Sequence, residues 1–438
     1  MTTFLRMRKG FSFDEAILMT QFAKYAYDVF QYDDGSVDDV ELKTIYKALY
    51  RNQGWQLVHT IRNDDTNIRA LLLKNTESPV HQYAISFRGS IVSDRGAVEL
   101  TDFTADFDWE LVRYEYLSIQ RAKVVRGFYL ALESVADEIQ LFFKTLRGEL
   151  KPSDFRRLHQ LPPLRKFACI TALANAGAIR LGAEFEQQAQ ELVQKVLADA
   201  EIDDDEELEK MLQFVEEELL SKLSPLTEPI EVWVTGHSLG GSLCQLAALS
   251  LRRWFGPASA GGLLIKVYAI AAPKIGNPTF IEYYNQQMGE ELSYRVENML
   301  DTAPTFPYDP PFPLSLIAPE GVRIGNIYIG NYANGGEAIT VMGLGGQSAS
   351  ISFGGIVEIP FTIPFPHSAE TYIQLLKDQK QFWSQLVRPV KDILRPFLID
   401  LLRDEQTRGV NLAQEIADLN GNENVSSVKS DEDITIVK

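Results

Sequence analysis

Residues 232–241 read Val-Trp-Val-Thr-Gly-His-Ser-Leu-Gly-Gly, and this stretch constrains the fold more than any other. An apolar, β-rich run over 230–234 enters a Gly-x-Ser-x-Gly turn. A helical pattern over 242–254 leaves it, with Leu243, Leu246, Ala247, Leu249 and Leu251 as apolar positions. Small residues flank Ser238 because so tight a turn has no room for larger ones. A strand that turns sharply into a helix lifts its serine to the end of a sheet, where a nucleophile can meet a substrate. The pentapeptide alone is a weak signal, shared with ordinary glycine-rich turns. The strand before it and the helix after it give it weight.

The flanking pattern extends the same theme. Residues 263–271 form a strongly apolar run that ends in Ala272-Pro273-Lys274-Ile275-Gly276-Asn277; a short helix over 279–287 and a strand over 293–297 follow. Strands alternating with helices at this spacing predict an α/β fold with a mostly parallel central sheet flanked by helices. Upstream, the pattern predicts a helix over 13–30, a short helix over 45–50, and strands over 55–61 and 68–74. A strand over 82–87 ends at Gly89, and one long helix runs from Gly127 to about 146. Residues 149–225 read as helices over 166–180, 184–200 and 206–223, a helical insertion before the nucleophile strand. The acidic run 203–207 lacks the spaced ligands and turn glycine of a calcium loop and reads as the solvated start of a helix. Residues 321–365, rich in glycine and β-formers, predict a hairpin-like excursion with strands over 323–329, 338–342 and 350–359. The expected organisation is one hydrolase domain over 1–418, with the insertion at about 149–225. Residues 419–438 are expected to form a disordered tail.

An activated serine needs a general base, and the base needs an orienting carboxylate; in the α/β-hydrolase arrangement they follow the serine in the order acid, then histidine. The chain has five histidines. His59, His81 and His159 precede Ser238, and His237 is its neighbour, which leaves His367 at a loop-to-helix junction. Between Ser238 and His367 the aspartates are Asp301 and Asp309. Asp301 closely follows a strand, where crevices open at the carboxyl ends of parallel strands, whereas Asp309 sits in a proline-rich turn and Glu297 is held in reserve. The oxyanion donors expected are the backbone N–H of Leu239 and that of Ser90, in the loop after an earlier strand. Arg88, beside that loop, reads as a structural ion-pairing residue. The chemistry calls for no metal or organic cofactor.

Composition bounds the partners. The chain has 438 residues, 45% hydrophobic and 23% charged, with a formal net charge of −18, which argues against nucleic acid because little would neutralise phosphates in bulk. Two cysteines, Cys169 and Cys244, follow no metal-site spacing, and Asp14 and Glu15 interrupt any signal-like apolar run near the start. The expectation is a cytoplasmic protein with at most peripheral contact with a lipid surface. The amphipathic stretch 388–403 is a candidate for that contact, but packing on the protein body as a C-terminal helix is the favoured reading.

At these motifs the chain resembles the class 3 lipases, the fungal-type triacylglycerol lipase family. The matching pieces are Phe87-Arg88-Gly89-Ser90, Asp106-Phe107, Val125-Arg126-Gly127-Phe128 and the serine turn. They continue with Ala272-Pro273-Lys274-Ile275-Gly276-Asn277, Asp301-Thr302-Ala303-Pro304-Thr305-Phe306-Pro307, and His367 with Tyr372, all in the family's order. The resemblance spans residues 13–376 apart from the helical insertion. It implies an α/β-hydrolase fold, Ser238, Asp301 and His367 as catalytic residues, Ser90 and Leu239 as oxyanion donors, and a lid-like segment at about 91–104. It also implies a lipid ester substrate, an acylglycerol or polar glycerolipid. The competing readings are a soluble short-chain esterase without interfacial activation, and a non-catalytic scaffold that binds a partner through the insertion.

Overall fold

The computed structural model describes residues 7–30, 54–90, 108–116, 121–198, 205–289, 292–307, 322–324, 327–329, 331–341, 347–353, 357–363 and 366–385. The expected helix at 45–50, the lid-like segment 91–104, Asp309, the stretch 388–403 and the tail 419–438 lie outside these residues.

In chain order the structure opens with helix α1 (Phe13–Val29), capped by the Ser12 hydroxyl, and strands β1 (Trp55–Asn63), β2 (Ile68–Asn75) and β3 (His81–Phe87). The short pair β4 (Leu111–Arg113) and β5 (Lys123–Val125) follows, then helices α2 (Arg126–Glu133), α3 (Ala136–Arg147), α4 (Pro152–Leu158), α5 (Pro163–Leu181), α6 (Ala183–Ala198) and α7 (Asp205–Lys222). Next come β6 (Ile230–His237), α8 (Leu239–Phe255), β7 (Leu263–Ile270), α9 (Pro278–Met288) and β8 (Ser293–Asn298). The last elements are β9 (Val322–Ile324), β10 (Ile327–Ile329), β11 (Glu337–Val341), β12 (Gln347–Phe353), β13 (Val357–Ile363) and α10 (Ala369–Gln385).

Seven strands form one sheet in the order β1-β2-β3-β6-β7-β8-β11. The β1–β2 and β2–β3 pairs are antiparallel, and every pair from β3 to β11 is parallel. Parallel strands must be covered on both faces, because each crossover lays a helix on the sheet. The strand residues sort by alternation accordingly. Val232, Val234, Ile265 and Val267 point into a core shared with α2, α3, α8 and α9, while Trp233, Tyr268 and Ile270 point into a second core shared with α1 and α10. A parallel sheet with its serine on a strand-turn-helix at the carboxyl end of a central strand is the α/β-hydrolase fold, as expected.

Helices α4 to α7 gather around a third core in which Phe155, Ile170, Leu173, Phe185, Leu212 and Val215 are buried with Leu141 of α3. A buried polar contact ties this layer to the sheet: His59 on β1 lies 2.7 Å from Glu138 on α3 and 2.9 Å from Asn175 on α5.

Two expectations are corrected. The long helix through about 146 is two helices, α2 and α3, broken at Ser134 and Val135. The Ser134 hydroxyl bonds the Ala131 carbonyl at 2.7 Å and meets the Thr66 hydroxyl at 2.9 Å, a tertiary contact that a local apolar pattern does not contain. The strand at 338–342 belongs to no hairpin: it is β11, which adds in parallel to β8 at the edge of the main sheet. The hairpins flanking it are β9–β10 and β12–β13.

Candidate active site

The turn after β6 is built by close approach. Ser238 caps α8 with φ 58° and ψ −128°, a backbone conformation that L-residues rarely adopt and that costs of order 1–3 kcal/mol. Its N–H donates to the Ile270 carbonyl (2.9 Å) and its carbonyl accepts from Gly241 (2.8 Å), so both sides of the strained residue are pinned. A Cβ on Gly236 would stand 2.2 Å from the Gly240 carbonyl oxygen, which is why the strand can fold back onto the helix only with glycine there. The strain serves to stand the Ser238 side chain at the carboxyl end of the sheet, with the positive end of α8 behind it.

The structure brings the three expected residues into one chain of hydrogen bonds. Ser238 Oγ lies 2.9 Å from His367 Nε2, and His367 Nδ1 lies 2.8 Å from Asp301 Oδ2. A carboxylate only accepts, so Nδ1 carries the proton and Nε2 is free to take one from the serine hydroxyl. Asp301 is buried and its second oxygen, Oδ1, accepts the Ala303 N–H at 2.9 Å. Its Oδ2 also accepts the hydroxyl of Tyr372 on α10 at 2.8 Å, and that hydroxyl in turn accepts the Asn298 N–H at 2.9 Å. Burial and the neighbouring Asp301 charge hold the Tyr372 phenol well above its ordinary range, which keeps it a donor. The loop bearing His367 is fixed as well: Asn298 Nδ2 donates to the Pro366 carbonyl at 3.2 Å, and Ser368 caps α10.

The remaining expected residues are placed as follows. Leu239 is the first residue of α8, where backbone N–H groups have no partner within the helix. Ser90 follows Gly89 after β3, and the Gly89 backbone is pressed against the serine turn: a Cβ there would come 3.0 Å from Ser238 Cβ. Glu297, the reserve acid, is held 2.7 Å from Arg295 Nε, and no hydrogen bond joins it to His367 among the described residues. Arg88 is buried and donates to the Phe30 carbonyl (2.8 Å) and to Asn67 Oδ1 (2.9 Å), a structural arrangement.

Sequence reasoning missed two residues. His237 is buried beside the site, with Nε2 at 2.6 Å from the His367 carbonyl oxygen and Nδ1 at 3.0 Å from the Tyr27 hydroxyl. Burial, with the nearby His367 adding to it, pushes the His237 imidazole down to about 3, so the ring is neutral. Tyr27 comes from α1, and burial raises its phenol above the ordinary value. A polar-tipped ring on an otherwise apolar helix face was the available signal for Tyr27.

Residues 178–310 match the model of the class 3 lipase family. Over 74 residues the chain is 38% identical to the secreted mono- and diacylglycerol lipase 1 of Fusarium solani, covering 17% of this chain and 20% of that protein. Over 108 residues it is 30% identical to phospholipase A1-II 6 of Oryza sativa subsp. japonica, covering 22% of this chain and 26% of that protein. The chain thus spans between a fifth and about a quarter of the length of the curated relatives it matches. Among solved structures it is similar to a triacylglycerol lipase described as having a serine protease triad, with TM-score 0.41 and 17% identity over 76% of this chain and 82% of that one. It is also similar to the Rhizomucor miehei lipase–propeptide complex, with TM-score 0.40 and 15% identity over 84% of this chain and 78% of that one.

The expected cytoplasmic location is overturned: relatives from Fusarium solani and Malassezia globosa are named secreted lipases. The physical reason the expectation failed is that Cys169 and Cys244 are free and buried, packed as small apolar residues, and thiols of that kind carry no information about compartment. The resemblance to the class 3 lipases carried by the motifs is thus shown, and it rests on residues 178–310, the segment that holds the serine turn and Asp301.

Proposed function

We propose that the protein is a serine hydrolase that cleaves carboxylic esters of lipids through an acyl-enzyme. The observation that carries this reading is the continuous chain Ser238–His367–Asp301, with contacts of 2.9 and 2.8 Å, at the carboxyl end of a parallel sheet. Ser238 is the nucleophile, His367 the general base and then acid, and Asp301 the group that holds the imidazole in the required tautomer. As the Ser238 oxygen attacks the ester carbonyl, its proton passes to His367 Nε2. The carbonyl electrons move onto oxygen, and the N–H groups of Leu239 and Ser90 receive that charge. The C–O bond to the alcohol breaks as His367 returns the proton to the leaving oxygen. Water, deprotonated by the same imidazole, then releases the fatty acid and restores Ser238.

The names of the relatives support a substrate class. Their names include a mono- and diacylglycerol lipase and a phospholipase, both of which cleave fatty-acyl esters of glycerol, so an acylglycerol or polar glycerolipid is the substrate proposed here. The same names support an extracellular place of action. The layer formed by α4 to α7 is proposed as an insertion that packs on α3 and β1 without supplying the site's chemistry. The test is hydrolysis of monoacylglycerol, triacylglycerol and phosphatidylcholine by the protein and by Ser238→Ala. Fatty-acid release from at least one of these, lost in the variant, is expected. Equal release by the variant, or none from any ester by the folded protein, overturns the reading.

A further inference from the structure

Three backbone segments must keep fixed positions if Ser238 is to react: the loop at Gly89–Ser90, the turn at His237–Ser238, and the loop that presents His367. They come from distant parts of the sequence, and one pair of side chains touches all three. The His367 carbonyl oxygen only accepts, so the 2.6 Å contact fixes the proton of His237 on Nε2. In a neutral imidazole Nδ1 must then accept, and the Tyr27 hydroxyl at 3.0 Å is its donor. The Tyr27 oxygen is pressed against the Gly89 backbone. It sits where a Gly89 side chain would be, since a Cβ on that glycine would lie 2.1 Å from it. The hydrogen bonds therefore run in one direction, from Tyr27 O–H to His237 Nδ1 and from His237 Nε2–H to the carbonyl of His367, with the Tyr27 oxygen packed on Gly89.

We propose that Tyr27 and His237 are positioning residues that lock the oxyanion loop, the serine turn and the His367 loop in mutual register. This role rests on the reaction proposed above. Neither residue touches the reacting atoms. Their effect is on the distance between Ser238 Oγ and His367 Nε2 and on the aim of the Gly89–Ser90 backbone, quantities on which catalysis depends steeply. The ring of His237 stands 4.7 Å from that of His367, centroid to centroid. It must therefore stay uncharged while His367 becomes an imidazolium, and a fixed neutral tautomer meets that need. The inference also gives α1 a role beyond packing, because it carries Tyr27 to the site from the far side of the sheet.

The experiment is steady-state hydrolysis of p-nitrophenyl butyrate by Tyr27→Phe, His237→Ala and His237→Gln, with Ser238→Ala as the control and thermal unfolding recorded for each. Tyr27→Phe removes one hydroxyl and keeps the ring; kcat is expected to fall about tenfold with KM unchanged, the scale of one lost positioning hydrogen bond. His237→Ala is expected to lose about a hundredfold in kcat. In His237→Gln the amide nitrogen can still donate to the His367 carbonyl, so that variant should recover most of the loss. Unchanged kcat in Tyr27→Phe overturns the proposal, as does a His237→Gln variant no better than His237→Ala. So does a loss of kcat that merely follows the loss of thermal stability. If Ser238→Ala also turns over, the reaction itself is misassigned, an outcome separate from failure of the positioning role.

Discussion

Lowering the pH from 7 to 5 should destabilise this protein through His237. In an unfolded chain the imidazole titrates near 6.5, whereas in the folded protein burial and the adjacent His367 push it down to about 3. Between those values the unfolded chain binds a proton that the folded chain refuses, so stability rises with pH across the window and is lost as the pH falls below 6.5. Each pH unit within it is worth up to about 1.4 kcal/mol, which amounts to about 2 kcal/mol at pH 5. Other carboxylates and histidines titrate over the same range, so a single unfolding curve does not isolate the effect. Urea unfolding of the protein and of His237→Gln at both pH values does, because glutamine does not ionise and the remaining groups are common to both. The wild-type protein should lose about 2 kcal/mol more than the variant between pH 7 and pH 5. Equal losses would refute the reasoning, since they would mean that His237 takes up its proton in the folded state as readily as in the unfolded one.

Further outcomes follow from other contacts. Gly89→Ala should abolish most activity while the protein remains folded, because its Cβ would meet the Tyr27 hydroxyl at 2.1 Å and the His237 carbonyl at 2.5 Å; kcat on a soluble ester and circular dichroism check this together. Lys266→Met should cost about 3–5 kcal/mol in urea unfolding. The Lys266 ammonium is fully buried on β7, paired with Glu15 of α1 and bonded to the carbonyls of Arg8 and Gly10 at 2.7 Å, so its removal leaves a buried carboxylate unpaired. Asp301→Asn should lower kcat by about 10⁴, because the imidazole then loses the acceptor that fixes its tautomer, and pre-steady-state acylation rates measure it.

Much of this arrangement is legible in the sequence because its parts are local or scarce. The strand, the glycine turn and the helix around Ser238 lie within one contiguous segment, and β7 announces itself as a strongly apolar run. Scarcity singles out His367 and Asp301: once order along the chain is imposed, few residues of the right chemistry are left to choose from. What the sequence hides is long-range. The break between α2 and α3 falls where the Ser134 hydroxyl meets that of Thr66, a contact across 68 positions of sequence. The placement of β11 beside β8 depends on which sheet edge is open, a property no local pattern encodes. His237 looks like a spectator because it neighbours the nucleophile. Its role becomes visible only when strand alternation turns its side chain to the opposite face from the α8 core, toward Tyr27 of α1, and the His367 loop descends to meet it. Tyr372 gains its meaning in the same way, from the 2.8 Å contact with Asp301 across 71 positions of sequence.

The central claim is that Ser238 is activated by His367 and Asp301, and covalent labelling tests it most directly. After reaction with a fluorophosphonate ester, the intact protein should gain the mass of a single phosphonyl group, and peptide mapping should place it on Ser238. His367→Ala should react slower by several orders of magnitude, and Ser238→Ala should gain nothing. An adduct on another residue, or labelling of His367→Ala at the wild-type rate, would contradict the account.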